Sequence, residues 1–282
     1  METSLTTNNA VKPFKVKLPE LHSGQLEVAS SNARFKVLVA GRRWGKTRLG
    51  VWLCVAKAMQ GKRTWWVAPT YAMALEGWKE IRTLGVDYGC VVKEYEKTLY
   101  TPTGGQVTVR SADNPDRLRG AGLDYIVLDE CAYIKEDVWK EVLRPTLTER
   151  RGGALFISSP KGYNWFSRLY DDAEKYNDWS RWQLPTSTNP FVPVEELAIA
   201  KREIGSFLYS QEYEAEFVEA KGGIFHAEWF RFYTTGSKLG YDEAGYEKTI
   251  QTLTSDMGEL EMESCRRVTT VDLATSTKDS AD

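Results

Sequence analysis

Apolar residues along this chain fall into short runs, each closed by polar or glycine-bearing segments. Phe35 to Ala40 (FKVLVA) has the length of a buried strand and empties into Gly41-Arg42-Arg43-Trp44-Gly45-Lys46-Thr47. A helix is predicted from about Lys46 to Met59, broken by Gly61. Thr64 to Ala68 reads as the next strand, stopped by Pro69, and a helix follows from about Tyr71 to Leu84. Cys90 to Tyr100 and Gln106 to Arg110 read as a hairpin with Pro102-Thr103-Gly104-Gly105 as its turn. Tyr125 to Leu128 is a short strand ending in Asp129-Glu130. A helix from about Glu136 to Leu147 leads to the strand Ala154 to Ile157, which ends in Ser158-Ser159-Pro160. Residues 195–218 have a helical pattern, Gly222-Gly223 marks a boundary, and a polar, acidic stretch follows. The last strand-like segment is Arg267 to Asp272.

Short apolar strands alternating with helices predict an α/β fold, with a mainly parallel sheet covered by helices on both faces. In such sheets ligands sit at the carboxyl ends of the strands, where the polar residues of this pattern lie. The expected organisation is an N-terminal arm over 1–33, a main domain over 34–221, a linker or subdomain over 222–264, and a further segment over 265–282. No internal repeat is visible.

Composition removes several classes. The longest unbroken apolar run is Val51 to Ala56, whereas a membrane span needs about 20 residues; the N-terminus lacks the apolar core of a secretory signal. The four cysteines (Cys54, Cys90, Cys131, Cys265) and two histidines (His22, His226) are scattered. That excludes an obvious zinc cluster, disfavours a histidine-centred triad, and suits buried free thiols in a reducing cytoplasm. Net charge is −2, from 37 basic and 39 acidic residues, so the total does not announce nucleic acid. The distribution is uneven. Arg42 to Arg63 carries seven cations and no acid, and Tyr241 to Ser264 carries seven acids against Lys248. Of the ten tryptophans, Trp65 and Trp66 sit in a strand alternation that turns one of them outward.

The chemistry concentrates at three strand ends. Gly41 to Thr47 has the form of a phosphate-binding loop, in which inward-facing amides and the following helix N-terminus cradle a polyphosphate. Gly45 allows close approach, Lys46 reaches the β and γ phosphates, and Thr47 coordinates magnesium. One departure stands out: the usual first glycine of G-x-x-x-x-G-K-[ST] is Ala40. Asp129, placed 83 residues after Lys46, is the candidate magnesium acid. Glu130 is the candidate that polarises the attacking water. Arg42 and Arg43, inside the loop, are placed to stabilise charge on the γ-phosphate. Ser158 and Ser159 are placed to sense it. The implied cofactors are ATP and Mg²⁺.

The set GRRWGKT, the hairpin leading to RSADNPDRLRG, then YIVLDE and ISSPKG, resembles in order and spacing the ATPase domain of bacteriophage terminase large subunits, over about residues 20–220. The resemblance implies an additional-strand (ASCE) P-loop NTPase fold, and a motor that drives double-stranded DNA into a procapsid in the cytoplasm of an infected bacterium. It implies a homo-oligomeric ring, a portal protein and a small terminase subunit as partners, and an RNase H-like nuclease domain that uses metal-binding acids. By the same resemblance Arg42 is the loop arginine, Lys46 and Thr47 the loop lysine and hydroxyl, Asp129 the magnesium acid and Glu130 the catalytic glutamate. Ser158, Ser159 and Pro160 match the coupling motif. Gln25 resembles the adenine-reading glutamine, and Asp272 the first nuclease acid. The remaining nuclease acids would fall past Asp282, so this chain is expected to be truncated and not to cut DNA alone. A ring also calls for an arginine acting in trans, with Arg119 and Arg144 as candidates and Arg144 preferred. The rival readings are a superfamily 2 helicase-like translocase, which needs a second ATPase-like domain, and a non-catalytic nucleotide-binding module, which the intact Lys46 and Glu130 oppose.

Overall fold

Strand β1 (Phe35–Ala40) is buried along its whole length, as a strand covered on both faces must be. The computed structural model describes residues 18–218, 234–255 and 258–261. The chain divides into two units, Met1–Ala220 and Lys221–Asp282. In the first unit β1 pairs in parallel with β7 (Gly153–Ser158) on one side and β8 (Trp179–Leu184) on the other. Beyond β7 lie β6 (Tyr125–Leu128), β2 (Arg63–Ala68) and β5 (Gln106–Ser111), all parallel. Two short antiparallel strands, β4 (Thr98–Tyr100) and β3 (Val91–Lys93), finish that edge. The order is β3-β4-β5-β2-β6-β7-β1-β8. One strand, β7, therefore separates the strand that feeds the glycine loop from the strand that ends in the two acids. This is the additional-strand arrangement.

Alternate residues of each central strand enter two cores. Val37, Val39, Trp65, Ile126 and Phe156 pack with Trp139, Leu143 and Phe166 on one face. Leu38, Trp66, Val127 and Ile157 pack with Leu49, Cys54, Trp78 and Ile81 on the other. The last four belong to helices α2 (Lys46–Ala58) and α3 (Tyr71–Asp87). Trp65 and Trp66 are thus both buried, against the expectation that one faces outward; helices cover both sides of β2. Cys54 and Cys131 are buried free thiols and Cys90 is half-buried.

The structure corrects several segments. The first arm of the expected hairpin is two strands, β3 and β4, with Lys97 in a left-handed conformation (φ 51°) at the turn between them. The helix expected over Glu136 to Leu147 is a π-helical stretch, Val138–Leu143, followed by the short α4 (Arg144–Thr146). Pro145 is the reason: it has no N–H to give and crowds the carbonyl four residues back, so the ladder shifts. Helices α1 (Ser23–Ser30) and α5 (Trp165–Asp172) and strand β8 add to the expected elements. Helix α6 (Val194–Glu212) is broken at Gly205 (φ 79°).

In the second unit, the acidic stretch expected as a linker or subdomain forms an antiparallel sheet of β9 (Thr234–Tyr241), β10 (Glu247–Ser255) and β11 (Gly258–Glu261). Ile250 and Thr252 alternate on the buried side of β10, and Lys238 bridges Glu259 and Glu261. The strand-like segment Arg267 to Asp272, with Asp272 itself, lies outside the described residues, as does Cys265.

Candidate nucleotide site

Residues 41–45 connect β1 to α2, and each carbonyl from Arg42 to Gly45 has a side-chain partner. Thr186 Oγ1 donates to Arg42 O (2.7 Å) and Asn189 Nδ2 to Arg43 O (2.7 Å). His22 Nε2 donates to Trp44 O (3.1 Å) and Gln25 Nε2 to Gly45 O (2.9 Å). His22 Nδ1 accepts from the Gln25 N–H, which leaves the ring proton on Nε2. A peptide whose carbonyl is tied down on one side presents its N–H on the other. The four ties fix the path of the loop backbone; the N–H groups of Gly41, Arg42 and Trp44 are themselves taken by Leu184 O, Glu212 O and Gly41 O, so the amides left to meet an anion are those towards the start of α2. Gly45, at the N-cap of α2, has φ 100°, a conformation that side chains resist. A Cβ on Gly41 would lie 2.3 Å from Thr186 Oγ1, so glycine there lets the 186–189 segment close on the loop. Ala40, the departure from the usual motif, is the last residue of β1 with its side chain fully buried. Its carbonyl serves the lysine instead.

Lys46 Nζ donates to Ala40 O (2.9 Å), Gly41 O (3.1 Å) and Ser159 Oγ (2.9 Å). The side chain is buried, and burial lowers its pKa while Glu130 and Asp129 pull it back up. Asp129 and Glu130 follow the last residue of β6. Glu130 holds a left-handed backbone (φ 45°), which is costly for a non-glycine residue and typical of functional positions. Its Oε2 accepts from Ser158 Oγ (3.3 Å), and that hydroxyl accepts the Ala132 N–H. The two serines at the end of the inserted strand thus divide the work: Ser158 holds the glutamate and Ser159 the lysine. A cavity of about 620 Å³ opens over Lys46, Thr47, Glu130 and Ser159.

The Asp129 carboxyl is buried, which pushes its pKa up to about 7, and the neighbouring Glu130 charge pushes the same way. Between roughly pH 4 and 7 the folded protein keeps a proton that an unfolded aspartate has already lost. Without nucleotide or metal, stability therefore falls as pH rises through that window. Asp129→Asn, which keeps the shape without the charge, is expected to melt several degrees higher than the parent at about pH 8. The gap should narrow towards pH 5, as read by calorimetry. Equal melting points at both pH values would mean an ordinary carboxyl.

The remaining expected residues divide. Arg42 is in the cavity wall and exposed, held by the Glu212 carboxylate at the end of α6, which raises its pKa. Its backbone N–H also donates to Glu212 O (2.6 Å). Arg43 lines the same cavity with φ 61°. The Trp44 ring points away, fully buried, with Nε1 on Thr188 Oγ1 (2.8 Å) and its edge towards His22; only the backbone of Trp44 serves the loop. Gln25 is buried, with Oε1 on the His22 N–H and Nε2 on Gly45 O. Here its carboxamide holds the loop itself. Arg144 stands apart. Its guanidinium lies 5.3 Å from the Phe35 ring centroid and donates to Thr148, at the end of β1 opposite the loop. Arg119 is exposed and, among the described residues, pairs with the exposed Asp116. Sequence reasoning missed Glu212, Thr186, Asn189 and His22, and also Met73, Glu80 and Tyr133, which line the cavity. None of these sits in a motif of its own.

The chain and its fold have known counterparts. A family model described as "Terminase large subunit, T4likevirus-type, N-terminal" matches residues 37–232. The chain belongs to the terminase large subunit family. The large terminase subunit of Thermus phage G20c is 31% identical over 248 residues, covering 72% of this chain and 50% of that protein. That of Escherichia phage T5 is 32% identical over 202 residues, covering 68% of this chain and 46% of that protein. This terminase chain spans about half the length of the curated relatives it matches. Among solved structures, the large terminase ATPase domain of Thermus phage P74-26 superposes with a TM-score of 0.63 at 28% identity, covering 71% of this chain and 94% of that one. The large terminase of another thermophilic bacteriophage, in complex with ADP, shares the fold at 16% identity, with a TM-score of 0.63 over 85% of this chain and 67% of that one.

Proposed function

We propose that this terminase chain binds ATP on the 41–47 loop, hydrolyses it with Glu130 as the base, and uses the cycle to move double-stranded DNA into a procapsid. The observation that carries the reading is the pair of serine contacts at the end of β7. Through them the lysine that would hold the phosphates and the glutamate that would activate water share one strand end. The thermophilic phage terminase crystallised with ADP supports an adenine nucleotide as the ligand.

The residues fit Mg²⁺. Asp129 is a carboxyl buried at the end of β6 beside Glu130, and the Thr47 hydroxyl begins α2 beside the loop. A hard cation favours such oxygen donors. When bound, Mg²⁺ would neutralise charge on the β and γ oxygens. The chain's own groups do the rest. The loop amides and Lys46 hold the phosphates, Arg42 meets the γ-phosphate after leaving Glu212, and Glu130 takes the water's proton.

A portal protein, a small terminase subunit, a ring of copies and the cytoplasm of an infected bacterium complete the proposal. Asp272 remains the proposed first acid of a nuclease site. No helix among the described residues is long and apolar enough to cross a membrane. For the cation in trans, the exposed Arg119 is freer than Arg144, whose guanidinium is engaged with Phe35 and Thr148.

The test measures ATP turnover against protein concentration, with and without duplex DNA. A finger from a neighbour is worth roughly 10³–10⁵ in rate, so turnover should rise faster than linearly. Arg119→Ala or Arg144→Ala should flatten the rise without changing ATP affinity. Mixing the flattened variant with Glu130→Ala should restore part of the rate, because some interfaces then carry both groups. Strictly proportional turnover in every case would remove the trans arginine, and absence of hydrolysis under all conditions would remove the ATPase reading.

A further inference from the structure

The six strand residues of β1 carry the sheet about 20 Å from the phosphate loop to its opposite end. There β1, β6 and β7 begin, α1 and α2 end, and a cavity of about 470 Å³ opens. Its wall holds Arg34, Lys36, Lys57, Lys62, Arg150 and Arg151 against one carboxylate, Asp124. That carboxylate is already shared. It accepts the Arg63 N–H (2.8 Å) and lies 3.9 Å from Lys62 and 3.6 Å from Arg150.

Lys36 and Lys57 form no ion pair among the described residues. Lys36 is 5% exposed, and its Nζ donates to Val28 O (2.7 Å) and Ala29 O (3.3 Å) at the end of α1. Lys57 Nζ stands 4.6 Å from the Tyr125 ring centroid. Burial, and then the Lys57 charge, lower the Lys36 pKa to about 8. Burial and the Lys62 charge lower that of Lys57. Tyr125 is a residue of the same wall, and its hydroxyl is buried without a hydrogen-bond partner among the described residues.

Helix ends account for part of this. The carbonyls closing α1 hold Lys36, and the C-terminus of α2 favours Lys57. They leave Arg34, Arg150, Arg151 and Lys62 around a concave polar space with one acid between them. Like charges gathered in one wall repel, and burial adds to the cost at Lys36 and Lys57. An anion entering the cavity would reverse that cost, accept from ammonium and guanidinium donors together, and match the arginine fork. We propose that this crevice is a second anion site of the protein, one that takes a phosphate group. The group comes from the backbone of a DNA duplex or from a free phosphate. None of the six cations belongs to the nucleotide cavity, so the site stands or falls apart from ATP hydrolysis.

The experiment uses the whole chain. In Lys57→Gln/Arg150→Gln/Arg151→Gln, three cations of the crevice are neutralised. In the control, Lys79→Gln/Lys140→Gln/Lys175→Gln, three exposed cations paired with acids elsewhere are neutralised. Melting points and ATP turnover check that both fold. Binding of a labelled 30-base-pair duplex is measured across salt concentrations. Acetylation of Lys57 is followed by mass spectrometry with the duplex, and with tripolyphosphate in a Lys46→Ala background that disables the nucleotide cleft.

If the phosphate comes from DNA, the crevice variant loses about tenfold or more in duplex affinity at low salt. Its log-log salt slope becomes shallower by roughly two to three, one for each lost phosphate contact. The duplex then protects Lys57, and the control variant changes far less. Protection by tripolyphosphate alone, with duplex binding unchanged, supports the site and assigns it to free phosphate. If crevice and control variants bind duplex alike and neither ligand protects Lys57, the proposal is overturned.

Discussion

Replacing Glu130 by glutamine is expected to stop hydrolysis and leave ATP bound. The carboxylate sits at the end of β6 on a left-handed residue (φ 45°), oriented by the Ser158 hydroxyl. An amide of the same shape keeps the serine contact through its carbonyl oxygen but cannot take a proton from water. The loss should be on the order of 10²–10⁴ in kcat, the usual worth of a positioned base. Binding of a non-hydrolysable ATP analogue should stay within a few-fold, because the loop amides and Lys46 are untouched. Turnover at the parent rate would reassign the base. Lost binding would mean that Glu130 shapes the cleft rather than acting on water.

Removing the Lys46 ammonium is expected to act earlier, on binding. Lys46→Ala deletes the charge proposed to meet the β and γ phosphates. It also deletes the brace from Nζ to Ala40 O, Gly41 O and Ser159 Oγ. Hydrogen bonds to charged groups contribute about 1.5–3 kcal/mol each, so two lost phosphate contacts lower affinity on the order of a hundredfold or more. The fold should survive, because a buried ammonium whose pKa burial has lowered gives little net stability. Calorimetric titration with ATP, beside a melting curve of the empty protein, separates the two effects. Undiminished affinity would move the phosphates off the loop. A large drop in melting temperature would make the lysine structural.

The strand ends were legible because chemistry is local there: a buried run, then glycine, lysine and threonine, or a buried run, then two acids. Those features survive in the sequence whatever surrounds them. The supports of the loop were not. Thr186 and Asn189 lie 144 and 146 residues from the carbonyls they hold, and β8, which brings them there, has no apolar run to announce it. Its six residues, WSRWQL, are all half-buried or exposed, because it is an edge strand. Gln25 was legible as a residue of interest, but its contact with Gly45 O depends on a short helix whose hydrophobic periodicity is weak. The π-helical stretch before Pro145 was hidden because periodicity reports a helical face and not its hydrogen-bond register. The sheet over residues 234–261 was hidden because acids on an exposed face look like a solvated linker.

The ties on the loop carbonyls bear on the order in which the chain matures. The motif residues 41–47 are synthesised well before residues 186 and 189, which supply half of their anchors and reach the loop only after β8 has docked beside β1. Loop closure over that distance carries an entropic cost that must be met before those contacts form. A nascent chain ending near β7 would contain the whole glycine-lysine-threonine signature with Arg42 O and Arg43 O still facing water. Affinity for polyphosphate is thus expected to arrive late, as a reporter that the last parallel strand is in place, which would spare a half-made chain from trapping nucleotide before Glu130, Ser158 and Ser159 are assembled around the loop.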